Sequence, residues 1–223
     1  MRLFCDPIST TTRAVTLFIA IADLDVELVH INLLAGEQLG EDFRGLNPAG
    51  KVPVLLDGDF VLTECSAILK YLADKAGSPL YPQDPKARAR VNERMDWFNT
   101  GFSHAANYGL AYPALSPMFR LDSPEAQAMV EHRAREQTAA LFGLLDQHLI
   151  GAAPFLCGQD MTIADCLGAA YVCLLDLVAY DLRPYPNVAR WMASLRALPA
   201  WAPTYAAFDG LLAALREQAR QAG

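Results

Sequence analysis

Between Gly77 and Pro85 the sequence reads Gly-Ser-Pro-Leu-Tyr-Pro-Gln-Asp-Pro, with prolines at 79, 82 and 85. Each proline removes a backbone donor and fixes its own φ, so three within seven residues stop both helix and sheet. The stretch reads as an extended linker, and it separates two unlike halves. Ahead of it, short apolar runs alternate with turn signals; behind it, nearly everything has helical spacing. The expectation is an α+β chain of two domains: a mixed domain over 1–79, a linker over 80–86, and an all-α helical domain over 87–223. At 223 residues and 53% hydrophobic, the chain can bury two modest cores.

In the first half, Arg2-Leu3-Phe4-Cys5 reads as a strand that Asp6-Pro7 breaks. Ser9, Thr10, Thr11 and Thr12 then offer caps for an apolar helix running to Ala22. Residues 26–33 alternate as a second strand, and strand, helix, strand implies a right-handed parallel crossover. The polar segment from Ala35 to Asn47 is the expected mobile lid. Val52-Pro53-Val54-Leu55-Leu56 is a buried strand, Asp57-Gly58 its hairpin turn and Phe60-Val61-Leu62 the return. A helix follows, with Thr63 as its expected cap and Ala67, Ile68, Tyr71 and Leu72 on its apolar face. The sum is a β-α-β, ββα arrangement, that of a thioredoxin-like domain.

In the second half, 86–112 reads as one long helix, or two broken at Gly101 or Gly109. Ser123-Pro124 starts a helix to Ile150, with Ser as cap and Pro in the first turn. Thr162-Ile163-Ala164-Asp165 is a capping-box start for an apolar helix to Val178, which makes Asp165 structural. Two more helices close the chain.

The net charge of -7 argues against nucleic acid and against an anionic membrane surface. No run of eighteen apolar residues can span a bilayer, and Met1-Arg2-Leu3-Phe4-Cys5-Asp6-Pro7 does not suit a signal peptide, so a cytoplasmic location is expected. Cys5, Cys65, Cys157, Cys166 and Cys173 are an odd number without a Cys-x-x-Cys pair, which reads as free thiols. The four histidines show no metal spacing, so no metal is expected.

Three features could act together on a ligand. Pro53 should stand at a strand start, with a trans bond as the simpler expectation; a cis bond would turn the N–H and C=O of Val52 outward to pair with an extended ligand. The helix start at Glu64 presents N–H groups and a positive dipole end suited to a carboxylate. The hydroxyls of 9–12 lie at another helix start. A thiol of ordinary pKa, roughly 8.5, is mostly protonated at neutral pH, and a hydroxyl donating to sulfur would favour the thiolate.

Asn47-Pro48 with Val52-Pro53-x-Leu55, then Leu62-Thr63-Glu64-x-x-Ala67-Ile68-Leu69-x-Tyr71-Leu72, resembles the glutathione-binding half of cytosolic glutathione transferases. The likeness is greatest to the serine-type theta, delta and related bacterial classes. Phe155-Leu156-x-Gly158-x-x-x-Thr162-Ile163-Ala164-Asp165 resembles the buried helix start of that family's helical domain, so the resemblance covers essentially the whole chain. It implies a homodimer with glutathione as co-substrate, adding the glutathione thiolate to small apolar electrophiles and transferring alkyl or aryl groups. It implies Ser9 as the thiolate donor, with Thr10 as alternate, because Thr11 and Thr12 stand where the Ser-x-Pro-Cys-Arg pattern has Pro and Cys. It further implies Val52, ahead of Pro53, pairing with the cysteinyl backbone, Glu64 accepting the γ-glutamyl ammonium, and Lys51 with Gln38 facing the glycine carboxylate. Cys65 stands where the family has Ser, leaving its backbone N–H for the γ-glutamyl carboxylate; at a helix start its thiol could also be acidified and form a mixed disulfide. Phe102, Tyr108 and Tyr112 are the expected electrophile pocket. The alternatives are a glutathione-dependent dehalogenase or disulfide oxidoreductase, or a non-catalytic regulatory protein of this fold.

Overall fold

The structure is a computed structural model that describes residues 1–222. They form two compact units, Met1–Tyr81 together with the chain from Leu198 on, and Pro82–Ala197. The expected α+β arrangement, thioredoxin-like first and helical second, is present.

In the first unit, β1 (Arg2–Cys5), α1 (Thr10–Ile21) and β2 (Glu27–His30) make the crossover. β3 (Val54–Asp57) and β4 (Phe60–Leu62) make the hairpin, followed by α3 (Cys65–Lys75). The sheet order is β2-β1-β3-β4. β1 runs parallel to β2, with Leu3 opposite Leu28, and antiparallel to β3, with Leu3 opposite Leu55. Leu3, Leu55, Leu17, Phe18, Ile68 and Leu69 have no exposed surface and form the core. Burying each such side chain contributes about 1.5–3 kcal/mol. Tyr71 donates to the Asp57 carboxylate at 2.6 Å, and Lys75 pairs with the same oxygen, which ties α3 to the hairpin.

Three details depart from the sequence expectation. The segment read as a lid carries a short 3-10 turn at Glu37–Leu39 and α2 (Glu41–Leu46). With six residues and Phe43 alone buried, α2 is too short to print a helical period. The Val52-Pro53 bond is cis rather than trans; the tertiary amide of an X-Pro bond leaves only a small preference between the two. Pro53 lies just ahead of β3, where it costs no ladder hydrogen bond. Finally, α3 is capped at Glu64 rather than Thr63, and Glu64 has φ +67°.

The first unit is completed by α9 (Trp201–Ala222), the last element. Tyr205 stacks on Trp201 at 3.8 Å, and the fully buried Arg13 of α1 lies 3.7 Å from the ring centre of Phe208 and 4.9 Å from that of Tyr205. A desolvated cation over rings contributes about 2 kcal/mol.

In the second unit, α4 (Pro85–Trp97) is capped by Asp84 and runs directly into a π-helical stretch, Phe98–Ala111, and α5 (Tyr112–Leu115). Neither Gly101 nor Gly109 breaks it. Gly109 instead allows a close crossing, since a Cβ there would come 2.5 Å from Ala134 Cβ. α6 (Pro124–Leu144) has the expected Ser123 cap and turns π-helical over Leu145–Ile150. α7 (Ile163–Leu174) and α8 (Pro186–Arg196) finish the unit. Phe98 and Phe102 meet at 5.2 Å, and Phe102 meets Phe142 at 5.4 Å. Phe102 has no exposed surface. It is a core residue, not the pocket residue expected, because its helix turns it toward α6.

The capping box at Thr162 is complete. One Asp165 oxygen accepts from the backbone N–H of Leu156 and from Trp191 Nε1, each at 2.9 Å. The other accepts from the Thr162 N–H and hydroxyl, at 2.8 and 3.0 Å. Burial pushes this carboxyl above its ordinary pKa, while the four donors act in the opposite direction.

Candidate functional site

The first turn of α1 carries the hydroxyl cluster. Thr10 and Thr12 are buried at 3% and 0% exposure, whereas Ser9 and Thr11 are half-buried, so these two are open to a ligand. Ser9 is the N-cap, with extended backbone and its Oγ accepting from the Thr12 N–H at a long 3.4 Å. Its own N–H donates to the carbonyl of Asp6 at 3.0 Å. Thr11 Oγ1 lies 3.3 Å from Ser9 Oγ and donates to the carbonyl of Val52, also at 3.3 Å. One threonine therefore connects the candidate thiolate donor to the candidate peptide-pairing edge.

Two residues hold this geometry, and the sequence reading gave neither a role. Asp6 is 3% exposed, and its carboxylate accepts from the Ile8 N–H at 2.9 Å and the Leu33 N–H at 2.8 Å. It thus joins the loop before α1 to the loop after β2. Asn47 donates its amide to the Lys51 carbonyl at 2.7 Å and accepts from the Ala49 N–H at 3.1 Å, fixing the turn that delivers Val52. The signal was present: Asp and Asn ahead of Pro are Asx-turn residues, whose side chains bond their own backbone two residues on.

Gly50 has φ +60°, and a Cβ there would come 3.0 Å from the carbonyl of Gln38. This close approach brings Gln38 beside the turn that bears Lys51, an exposed cation. The Gln38 side-chain oxygen is buried and accepts no hydrogen bond.

Glu64 is exposed at the start of α3, in a backbone region that a non-glycine residue occupies at a cost of order 1–3 kcal/mol. Its carboxylate makes no capping bond to the helix. Cys65 behaves otherwise than its place at a helix start suggests. It is 6% exposed, and burial, with the Glu64 carboxylate adding, pushes its thiol far above the ordinary value. Burial therefore acts against the acidified thiol that a mixed disulfide at this helix start would use. Cys5 is likewise pushed up to about 11 by burial.

Tyr108 and Tyr112 belong to the second unit. Tyr108 is 52% exposed and lies 5.0 Å from Tyr112, which lies 5.0 Å from Phe119, while His104 stands 6.0 Å from Tyr108. These four rings form a continuous aromatic ladder separate from the buried cluster around Phe102.

The family model described as glutathione S-transferase, N-terminal domain, matches residues 1–74, and that described as glutathione S-transferase, C-terminal domain, matches residues 107–199. Human glutathione S-transferase theta-2B is 35% identical over 200 residues, 88% of this chain and 81% of that protein. Human glutathione S-transferase theta-1 is 37% identical over 202 residues, again 88% of this chain and 82% of its own length. The solved structure of human glutathione transferase theta-2, in complex with glutathione and an unknown ligand, superposes with a TM-score of 0.84 at 29% identity, covering 97% of this chain and 90% of that one. The chain belongs to the glutathione S-transferase family.

Proposed function

We propose that this chain is a serine-type glutathione transferase that binds glutathione on its first unit, activates the thiol as thiolate, and adds it to small apolar electrophiles. The observation that carries the reading is Thr11 Oγ1, 3.3 Å from both Ser9 Oγ and the Val52 carbonyl, which links a half-buried hydroxyl to the backbone of Val52. Val52 pairs with the cysteinyl backbone, Glu64 takes the γ-glutamyl ammonium, the N–H of Cys65 takes the γ-glutamyl carboxylate, and Lys51 with Gln38 takes the glycine carboxylate. The thiol then lies against the first turn of α1, where it releases its proton to solvent and the Ser9 hydroxyl, keeping its own proton, donates a hydrogen bond to the thiolate sulfur.

Lowering the thiol pKa by about two units needs about 2.7 kcal/mol. A hydrogen bond to a charged group contributes about 1.5–3 kcal/mol and a helix N-terminus about 0.3–1 kcal/mol, together a range of about 1.8–4 kcal/mol that brackets the amount needed. The thiolate lone pair then forms the carbon–sulfur bond. In a substitution the leaving group departs with its electron pair; in an addition the electrons pass into the acceptor, which is later protonated.

Tyr108 and Tyr112, with His104 and Phe119 along the same ladder, supply the apolar surface for the electrophile. Phe60 and Val61 are exposed at 46% and 38% on the edge strand β4, with Tyr71 5.4 Å from Phe60; this cluster supports the homodimer reading. No helix among the described residues is long and apolar enough to cross a membrane. The domain boundaries we propose are 1–79 for the glutathione-binding part and 87–223 for the helical part.

Calorimetric titration with glutathione, followed by parallel assays of conjugation, halide release and disulfide reduction, tests the reading. Binding with conjugation as the dominant turnover is expected. Binding without any turnover would make this a regulatory member of the family, and absence of binding would remove the proposal altogether.

A further inference from the structure

The hydroxyl chain has a direction. The Val52 carbonyl can only accept, so the single proton of the Thr11 hydroxyl goes to Val52 at 3.3 Å. The Ser9–Thr11 contact, also 3.3 Å, must then be donated by Ser9. Ser9 Oγ meanwhile accepts from the Thr12 N–H. Without ligand, the proton that glutathione sulfur needs is held by Thr11.

We propose that Thr11 is a positioning residue for thiol activation: it holds the Ser9 hydroxyl proton in the resting site and competes with the glutathione sulfur for it. The inference rests on the reading of Ser9 as thiolate donor. When the thiolate arrives, the Ser9 hydroxyl rotates from Thr11 Oγ1 to sulfur. An anionic acceptor outcompetes a neutral hydroxyl, because hydrogen bonds to charged groups are roughly twice as strong. The transfer therefore occurs, but the resting bond subtracts from its driving force. Thr11 also keeps the first turn of α1 in register with the edge at Val52, through an acceptor with two lone pairs, one of which remains for the ligand. A residue without a hydroxyl at position 11 would leave Ser9 no competing acceptor within its own turn.

The charged groups on the adjoining segments are Asp6 before α1, Arg13 within it, Lys51 beside Val52, and Glu64 ahead of α3. All are unchanged by a substitution at 11, so a comparison of variants isolates the hydroxyl.

The test is a spectrophotometric pH titration of the thiolate of bound glutathione in wild type, Thr11→Val, Thr11→Ala, Thr11→Ser and Ser9→Ala. Thr11 is half-buried rather than core, and two oxygen-free variants guard against misfolding of either. The expected result is a thiol pKa about half a unit lower in Thr11→Val and Thr11→Ala, roughly threefold in the thiolate-to-thiol ratio. Thr11→Ser, which restores an oxygen there, should return the value to that of wild type. An unchanged or raised pKa in the two oxygen-free variants, with thiolate lost in Ser9→Ala, would overturn the role of Thr11 while leaving that of Ser9 standing. Thiolate surviving in Ser9→Ala would overturn both.

Discussion

Two helix starts in this molecule are each opened by a hydroxyl residue and are finished differently. At α7, Thr162 and Asp165 close every bond: four donors converge on one buried carboxylate, at 2.8 to 3.0 Å. At α1, Ser9 reaches its cap partner at 3.4 Å, stays half-buried, and passes a chain of hydroxyls on to Val52. The first is saturated and dry, so it holds a fold. The second has unused hydrogen-bonding capacity beside open backbone, so it can act on something that arrives. A capping sequence alone does not separate the two; burial and the completeness of the bonding do.

The comparison is broken most forcefully at Asp165. Asp165→Ala leaves three buried N–H donors without an acceptor, while the Thr162 hydroxyl keeps Cys157 Sγ; at about 1–3 kcal/mol each, a loss of at least about 3 kcal/mol is expected in urea unfolding. Glutathione affinity of the remaining folded protein should be unchanged. A loss under about 1 kcal/mol would deny α7 its structural role.

Ser9→Ala should behave in the opposite sense. Loss of an N-cap costs about 1 kcal/mol of stability. A thiol pKa returned by about two units should lower kcat/KM at neutral pH by about a hundredfold, with the inflection of the pH profile moved upward by the same amount. The sign follows from the thiolate being the reactive form: activity rises with pH through the thiol pKa, and raising that pKa moves the rise to higher pH.

Glu64→Gln sharpens the account at the third helix start, that of α3. The lost charge-assisted bond should weaken glutathione binding by about tenfold, with stability nearly unchanged because the carboxylate does not cap the helix. Glu64→Gly should bind equally poorly yet unfold at higher denaturant, since glycine accepts φ +67° without strain. A destabilised Glu64→Gly protein would remove strain from the explanation. The smallest effect is at Cys65: incubation with oxidised glutathione, read by mass spectrometry, should leave it unmodified in the native protein and modifiable only after unfolding.

Much of the fold was legible because it was written in period and punctuation. Three prolines separated the halves, Asp57-Gly58 placed the hairpin, and Ser123-Pro124 and Thr162–Asp165 placed two helix starts. What was missed depends on tertiary contact. α2 is too short to show a period. The partners of Asp6 and Asn47 include backbone groups a sequence does not pair, Leu33 being 27 residues from Asp6. Phe102 and Tyr108 belong to the same aromatic-rich stretch, and only the packing of α6 makes one core and leaves the other exposed. At Cys65 the sequence left an acidified thiol and an inert buried one both open, and only the burial, which raises the thiol pKa, separates them. At the site, motif and hydroxyl cluster narrowed the choice to 9–12; within it Thr10 and Thr12 are buried, while Ser9 and Thr11 are half-buried, a difference no sequence pattern states.

The most direct test of the central claim is the ultraviolet thiolate absorbance of glutathione at saturation, near neutral pH, in wild type and Ser9→Ala. The account predicts a thiolate band in the wild type that disappears in the variant although glutathione still binds. A band of equal size in both proteins would contradict it.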